Sequence, residues 1–327
     1  MARRGGWRRI GGRRRFHYVD SRGDEIVDEE RLGRIERLVI PPAWRDVWIS
    51  PSPGAKLQAT GVDAAGRRQY LYHPAYRAAR EQEKFDRLVR FGELLPGLRK
   101  RMALDVDRGP YEHAWTCAIA VALVNRGWFR VGSDRYARTG RTYGITTLTK
   151  RHVTVRKDRI AFRFRGKHGA RVRTTLVDAE LADAVRALLR FERDGRPANL
   201  TAPALNLYIA EHLGDDFTAK DFRTWSGTVL AATALREVPP PGTKRETERN
   251  VNVAIEAVAG LLGNTPTVCR KSYVHPGVVD AYRDRTMAAV SNRKRAPARI
   301  AGLRADEVAL LALLKYLQNR DSSRTAA

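Results

Sequence analysis

Cysteine is nearly absent from this chain: there are two in 327 residues, Cys117 and Cys269. They lie far apart and neither belongs to a CxxC pair, which excludes a zinc ribbon and a disulfide framework. No apolar run approaches the ~18–20 residues of a membrane span. The start, MARRGGWRRI, has no apolar core of the kind export requires. GxxxxGK followed by Ser or Thr does not occur, so a P-loop ATPase is excluded. HExxH and GxSxG are also missing, and with them the common zinc peptidases and serine hydrolases. Acidic residues are scarce, 36 against 61 Lys and Arg, and they form no evident metal cluster. No metal and no other cofactor is expected. There is no internal repeat and no low-complexity block.

What remains is a formal net charge of +25 on a chain that is 43% apolar. The apolar share supports real cores, and the length exceeds what one core usually spans, so two domains are expected. The charge attracts polyanions, nucleic acid first among them. Residues 1–20 hold seven arginines against one acid, Asp20. That stretch reads as a basic arm on phosphates or as a solvated tail.

Residues 1–86 look like a small, mostly antiparallel domain. RFHYVD and VWISPSPGAKLQATG are β-like, and IVDEERLGRIERLVIPP between them reads as helical up to the Pro41-Pro42 stop. In GRRQYLYHP, alternation places Tyr70 and Tyr72 on one strand face, beside Arg67 and Arg68. Residues 87–327 read as mainly helical. EHAWTCAIAVALVNRGW is a core helix. TYGITTL, HVTVR, RIAFRFR and ARVRTTLV form a β interlude with turns at Lys157-Asp158 and Gly166–Gly169. Thr218 and Asp221 cap the helix AKDFRTWSGTVLAATALREV. VPPPGTKRETERN (238–250) reads as a loop, and NVAIEAVAGLLG as a helix closed by Gly263. The final ADEVALLALLKYLQNR is helical, with a packing role. The fold class is therefore α+β: an antiparallel β-rich N-terminal domain, then a mainly α domain with a small antiparallel sheet.

Chemistry concentrates in CRKSYVHP. There Tyr273 lies among Arg270, Lys271 and His275. A tyrosine hydroxyl titrates near ~10 and is a poor nucleophile at neutral pH. Cations favour its phenolate and attract a phosphate. Four other positions stand out. Arg130 follows a helix in NRGWFRVGSDRYAR, Lys167 sits in the turn RGKHG, Arg223 lies on the capped helix, and Asn264 follows Gly263. Taken singly, each has a bland explanation: a solvated charge, a surface ion pair of Arg223 with Asp221, a helix-terminal Asn.

Taken in order, these blocks resemble the type IB DNA topoisomerases, closest to their compact bacterial and poxvirus-type branch. The likeness runs through LVIPPAWRDVWISPSPGAKLQATGVDAAGRRQYLYHP, FRVGSDRYARTGRTYGITTL, RFRGKHG, KDFRTWSGT and LGNTPTVCRKSYVHP. It implies a catalytic set of Arg130, Lys167, Arg223, Asn264 and Tyr273, with Asn264 where poxvirus members have histidine. It implies a 3′-phosphotyrosyl intermediate, strand rotation and religation, relaxing supercoils with no ATP and no metal. It further implies DNA contacts from Arg67, Gln69, Tyr70, Tyr72 and Tyr136. The expected partner is double-stranded DNA clamped by a monomer, with no membrane. The expected place is the cytoplasm, associated with the nucleoid. A tyrosine recombinase shares the nucleophile and the arginines. Against it stand KDFR, where recombinases have an HxxR-like site, and the β-rich N-terminal part. An architectural DNA-binding protein would explain the charge but not the ordered cations around Tyr273.

Overall fold

The computed structural model describes residues 5–12, 15–109, 113–190, 200–239, 242–291 and 299–325. The chain separates into two units, Met1–Phe85 and Asp86–Ala327. It is α+β, with an antiparallel sheet in the first unit and a mainly helical second unit carrying a small sheet.

The first unit is a five-stranded antiparallel sheet with two helices. Its strands are β1 (Trp7–Gly12), β2 (Arg15–Val19), β3 (Arg45–Ile49), β4 (Leu57–Val62) and β5 (Arg68–Tyr72), in the order β2-β1-β3-β4-β5. Helix α1 (Glu29–Arg37) lies between β2 and β3, and α2 (Pro74–Asp86) follows β5. Alternation turns Trp7, Val47, Ile49 and Ala59 inward onto Ile26 and Ile35. The expected basic arm is therefore largely a hairpin: Trp7 is buried and β1 pairs with β2 from Arg8 to Gly12. Its residues 1–4 and 13–14 lie outside the described residues. Arg9 is structural, donating to the Pro41 and Trp44 carbonyls at 3.1 and 2.7 Å. Helix α1 is shorter than its sequence pattern. Asp28 caps its start by accepting from the Arg31 N–H at 2.8 Å. Past its end Val39 is left-handed, φ 47°, so the chain turns before the prolines.

In the second unit α3 (Leu88–Asp107) and α4 (His113–Gly127) pack together. Helix α5 (Asp134–Gly140) follows, then the sheet β6 (Val153–Arg156), β7 (Arg159–Arg165) and β8 (Arg171–Val177). TYGITTL is not a strand. Ile145–Thr147 is a short 3-10 turn whose Ile145 and Thr146 N–H groups donate to the Arg130 and Val131 carbonyls, both at 2.8 Å. Those bonds to an adjacent loop outweigh the strand preference of Ile and Thr. Helices α6 (Ala179–Arg190) and α7 (Ala202–Leu213) lead to α8 (Ala219–Glu237) and α9 (Lys244–Leu262). The FE end of the helix expected over DAELADAVRALLRFE lies outside the described residues, as do Pro240 and Pro241 of the expected loop. That loop is shorter than expected. Thr243 accepts from the Glu246 N–H at 3.1 Å and opens α9 at Lys244, eight residues before the expected start at Asn252. Helices α10 (Pro266–Tyr273), α11 (Pro276–Arg283), α12 (Thr286–Ser291) and α13 (Ala305–Thr325) complete the unit.

Helix α8 is its axis. Phe222, Trp225 and Val229 are fully buried, and Phe91 packs edge-on against Phe217 and Phe222 at 5.5 and 5.1 Å between ring centroids. The α8 start carries the expected capping box: Asp221 accepts from the Thr218 N–H and hydroxyl, both at 2.9 Å. Its ion-pair partner is Arg87, at 3.0 Å, rather than Arg223. The role of α13 exceeds general packing. Its buried Glu307 accepts from Arg99 at 2.7 and 2.8 Å and from Trp225 Nε1 at 3.2 Å. Burial pushes that carboxyl's pKa up, but the Arg99 hydrogen bonds and charge, with Arg304, outweigh it and hold it below the usual glutamate range. A buried charge held this way stays ionised and ties α13 to α8.

Candidate active site

Three helices and one loop converge on Tyr273. The residue ends α10, whose first turn is set by Thr265, accepting from the Val268 N–H at 3.3 Å, and by Pro266. Arg223 sits one turn into α8 and is buried. It donates from Nη1 to the Trp128 carbonyl and from Nη2 to the Leu262 carbonyl, the latter at 2.8 Å. Its guanidinium carbon then lies 5.0 Å from the centre of the Tyr273 ring, within cation–π range. The Arg223 Nε–H is buried with no protein partner.

Arg130 reaches the same place from the loop after α4. Its Nη2 donates to the Gly263 carbonyl at 3.0 Å and to Asn264 Oδ1 at 2.6 Å. Both arginines are thus seated on the carbonyl end of α9, where the helix dipole favours cations. Gly263 supplies the left-handed turn there, φ 60° and ψ 51°, and its N–H closes the helix. Asn264 Nδ2 turns back to the Leu262 carbonyl at 3.3 Å. Burial lowers the Arg130 pKa from its ordinary value, the Arg223 charge lowers it further, and Tyr273 opposes both. Two like charges held together at a half-buried tyrosine make a pocket for an anion.

The backbone of Tyr273 is fixed by a pair of residues that the motif reading missed. Thr228, fully buried on α8, shares its hydroxyl proton between the Thr224 and Tyr273 carbonyls, at 2.8 and 3.2 Å, and accepts from the His275 N–H at 3.1 Å. Gly227 beside it has no room for a side chain: a Cβ there would stand 2.7 Å from the Tyr273 carbonyl oxygen and 3.1 Å from the Tyr273 Cβ. The run SGT inside an otherwise strong helix was the available signal, since small residues mark close helix approach. Gly227→Ala is therefore expected to push α10 away from α8 and lower the thermal midpoint by a few degrees; an unchanged midpoint in a melting experiment would show that the two helices have room for the methyl.

Cys269, on the same helix, is fully buried, and burial pushes its thiol up to about 11 with the Arg223 charge opposing. It is inert as a nucleophile. Lys167 stands apart from this cluster. It occupies the exposed turn between β7 and β8, where His168 and Gly169 take φ of 59° and 77°. It makes no hydrogen bond or ion pair with Arg130, Arg223, Asn264 or Tyr273. Tyr136 is exposed on α5. In the first unit, Tyr70 and Tyr72 share the exposed face of β5, their rings stacked at 6.2 Å, and Arg68 shares that face. Gln69 lies on the opposite face. It and Arg67 are both tied to Asp63, at 2.8 and 2.6 Å.

Two arginines and an amide are thus gathered at one tyrosine, an arrangement whose charge favours an anion. Residues 73–299 match the catalytic core of eukaryotic DNA topoisomerase I, and residues 15–63 match the N-terminal domain of bacterial DNA topoisomerase IB. DNA topoisomerase 1B of Acanthamoeba polyphaga mimivirus is 31% identical over 285 residues, covering 82% of this chain and 84% of that protein. DNA topoisomerase 1B of vaccinia virus (strain Copenhagen) is 20% identical over 245 residues, 73% of this chain and 76% of that one. DNA topoisomerase I of monkeypox virus is 21% identical with the same coverage. The chain belongs to the type IB DNA topoisomerase family, and is an enzyme that changes the topology of DNA.

Proposed function

We propose that Tyr273 is the nucleophile of a metal-free and ATP-free transesterification on duplex DNA. Its oxygen attacks a backbone phosphorus and gives up its proton, the P–O5′ bond breaks, and a 3′-phosphotyrosine remains with a free 5′-hydroxyl strand. That strand rotates, and its hydroxyl then attacks the phosphotyrosine to restore both the DNA and the phenol. The ester keeps the energy of the broken link, so resealing needs no nucleotide. The observation that carries this reading is the placement of Arg223 over the Tyr273 ring at 5.0 Å, with Arg130 and Asn264 joined to each other at the same helix end.

Arg130 and Arg223 stabilise charge developing on the nonbridging oxygens. Arg223 is well suited, because its two fixed hydrogen bonds preorganise it and its buried Nε–H is left unspent. Asn264 steers Arg130 and keeps one amide hydrogen for the phosphate. Lys167 is the general acid for the leaving 5′-oxygen, reaching it on the exposed β7–β8 turn once DNA is bound. Tyr70, Tyr72 and Tyr136 meet the duplex through exposed rings, and Arg67 and Gln69 do so from the Asp63 side of β5. All five catalytic residues come from one chain, so a monomer suffices. Among the described residues no helix is long and apolar enough to cross a membrane; the place of work is the DNA itself, in a bacterial cell the nucleoid.

The test is plasmid relaxation with EDTA and no nucleotide, followed by denaturant trapping. Relaxation with protein left on the 3′ end is expected. A requirement for Mg²⁺ or ATP, or attachment at the 5′ end, overturns the mechanism. Replacing Lys167 by alanine should slow cleavage by about 10²-fold and be rescued on DNA carrying a good 5′ leaving group. Slow cleavage without rescue assigns the acid elsewhere. Asn264→His should cleave within about tenfold of the unaltered chain, since either side chain can donate to the phosphate. An inactive His variant would leave Asn264 only its role in holding Arg130.

A further inference from the structure

The turn that carries Lys167 is closed by its own bonds. Gly166 donates to the Ala170 carbonyl at 2.7 Å and Gly169 to the Gly166 carbonyl at 3.0 Å, just past Arg165 and Arg171, the last pair of β7 and β8. The end of the hairpin therefore moves as one piece, and Lys167 stands wherever that piece is held. The segment 143–147 holds it. The Tyr143 N–H donates to the Arg165 carbonyl at 2.7 Å, among the described residues the only backbone hydrogen bond that reaches 165–171 from outside the sheet. The half-buried Tyr143 ring packs on the His152 ring at 4.3 Å between centroids, and His152 meets the ring of Phe164, the residue before Arg165, at 6.3 Å. His152 is itself anchored, its Nδ1 accepting from the Thr149 N–H at 3.0 Å.

The other end of the same segment lies on the backbone of Arg130. The Ile145 N–H donates to the Arg130 carbonyl at 2.8 Å. Gly144 has no room for a side chain: a Cβ there would stand 2.5 Å from that carbonyl oxygen and 2.5 Å from the Gly132 nitrogen. Tyr143, Gly144 and Ile145 thus form a short strap, bonded at one end to Arg130 and at the other two residues before Lys167. A general acid has to come within about 2.6–3.2 Å of the atom it protonates, while the arginine grips other oxygens of the same phosphate. A misplacement of about 1 Å can slow such a step on the order of 10²-fold. We propose that Tyr143 is a positioning residue for the general acid: its N–H and its ring fix the Lys167 turn to the Arg130 backbone, so that acid and phosphate-binding arginine are set against one another. This rests on Lys167 being the acid of the cleavage proposed above.

The test is single-turnover cleavage by the full chain of two duplexes, one with the ordinary 5′-oxygen at the cleaved phosphate and one with sulfur in its place. With sulfur the P–S bond breaks to leave a thiolate, whose thiol has a pKa near ~8.5 and which therefore departs without a proton from the acid. Tyr143→Leu keeps apolar bulk and removes the ring stack. It should cleave the oxygen duplex about tenfold or more slowly and the sulfur duplex within about twofold of the unaltered chain. Tyr143→Phe, which keeps the ring, should restore the rate on oxygen. His152→Ala leaves Tyr143 in place but unstacked; it should give the same split between the duplexes, and decides the matter where the leucine variant melts below the assay temperature. Lys167→Ala is the reference, slow on oxygen and restored on sulfur. Combining it with Tyr143→Leu should slow the oxygen duplex no further, because there is no acid left to misplace. A tyrosine that only supports the fold would slow both duplexes alike. That result, or an unchanged rate on oxygen, overturns the positioning role and leaves Lys167 as the acid. A Lys167→Ala variant that sulfur does not restore overturns the acid assignment, and this proposal with it.

Discussion

Tyr273→Phe is expected to bind duplex DNA as tightly as the unaltered chain, within about twofold, and neither to nick nor to relax it. The substitution removes one oxygen. The ring still fills its half-buried place under Arg223 at 5.0 Å, and the backbone bonds through Thr228 do not involve the hydroxyl. The fold is therefore untouched. Affinity comes from the charge excess of +25 through counterion release, and that is unchanged as well. What disappears is the oxygen proposed to form the phosphoester. No neighbouring group replaces it: Cys269 is buried with its thiol pushed up to about 11. The measurement is relaxation of a supercoiled plasmid beside an anisotropy titration. Residual relaxation would mean that another residue is the nucleophile.

Arg223→Ala is expected to cleave at least about 10²–10³-fold more slowly, the usual consequence of deleting a preorganised donor to developing negative charge. The side chain has a second job that must be separated from the first. It satisfies the Trp128 carbonyl and shares the Leu262 carbonyl with Asn264, and losing a hydrogen bond of this kind costs about 0.5–1.5 kcal/mol. The alanine variant should accordingly melt earlier. Arg223→Lys resolves the two effects. Lysine keeps the charge, but its single ammonium cannot hold both carbonyls and present a flat fork to phosphate. A folded lysine variant that still cleaves about 10²-fold slowly locates the loss in donor geometry. A wild-type cleavage rate in either variant removes Arg223 from the site.

Much of the fold could be read locally. The cap of α8 at Thr218 and Asp221 is as the sequence predicts, and so is the Gly263 stop. So is the alternation of β7, whose buried positions are Ile160, Phe162 and Phe164. These are local signals, each set by a residue's own backbone or by neighbours three or four positions away. Two of the misreadings share one cause. The 145–147 turn is held by carbonyls of Arg130 and Val131, and the N-terminal hairpin is held in part by Arg9 reaching the Pro41 and Trp44 carbonyls. No short window contains both partners.

The order of motifs, the cationic excess, the helix caps and the strand periodicities belong to the amino-acid sequence alone, and they were enough to point to DNA and to a tyrosine among cations. The resemblance had already singled out Arg130 and Arg223 among the 61 lysines and arginines; how they come to stand at that tyrosine was decided only in three dimensions. Arg130 meets the α9 terminus across 133 residues of chain, and Arg223 meets Trp128 across 95. Thr228 reaches Tyr273 only because Gly227 lets two helices touch. Charge and periodicity are properties of residues and short windows, whereas burial and distance arise when the whole chain closes around one core.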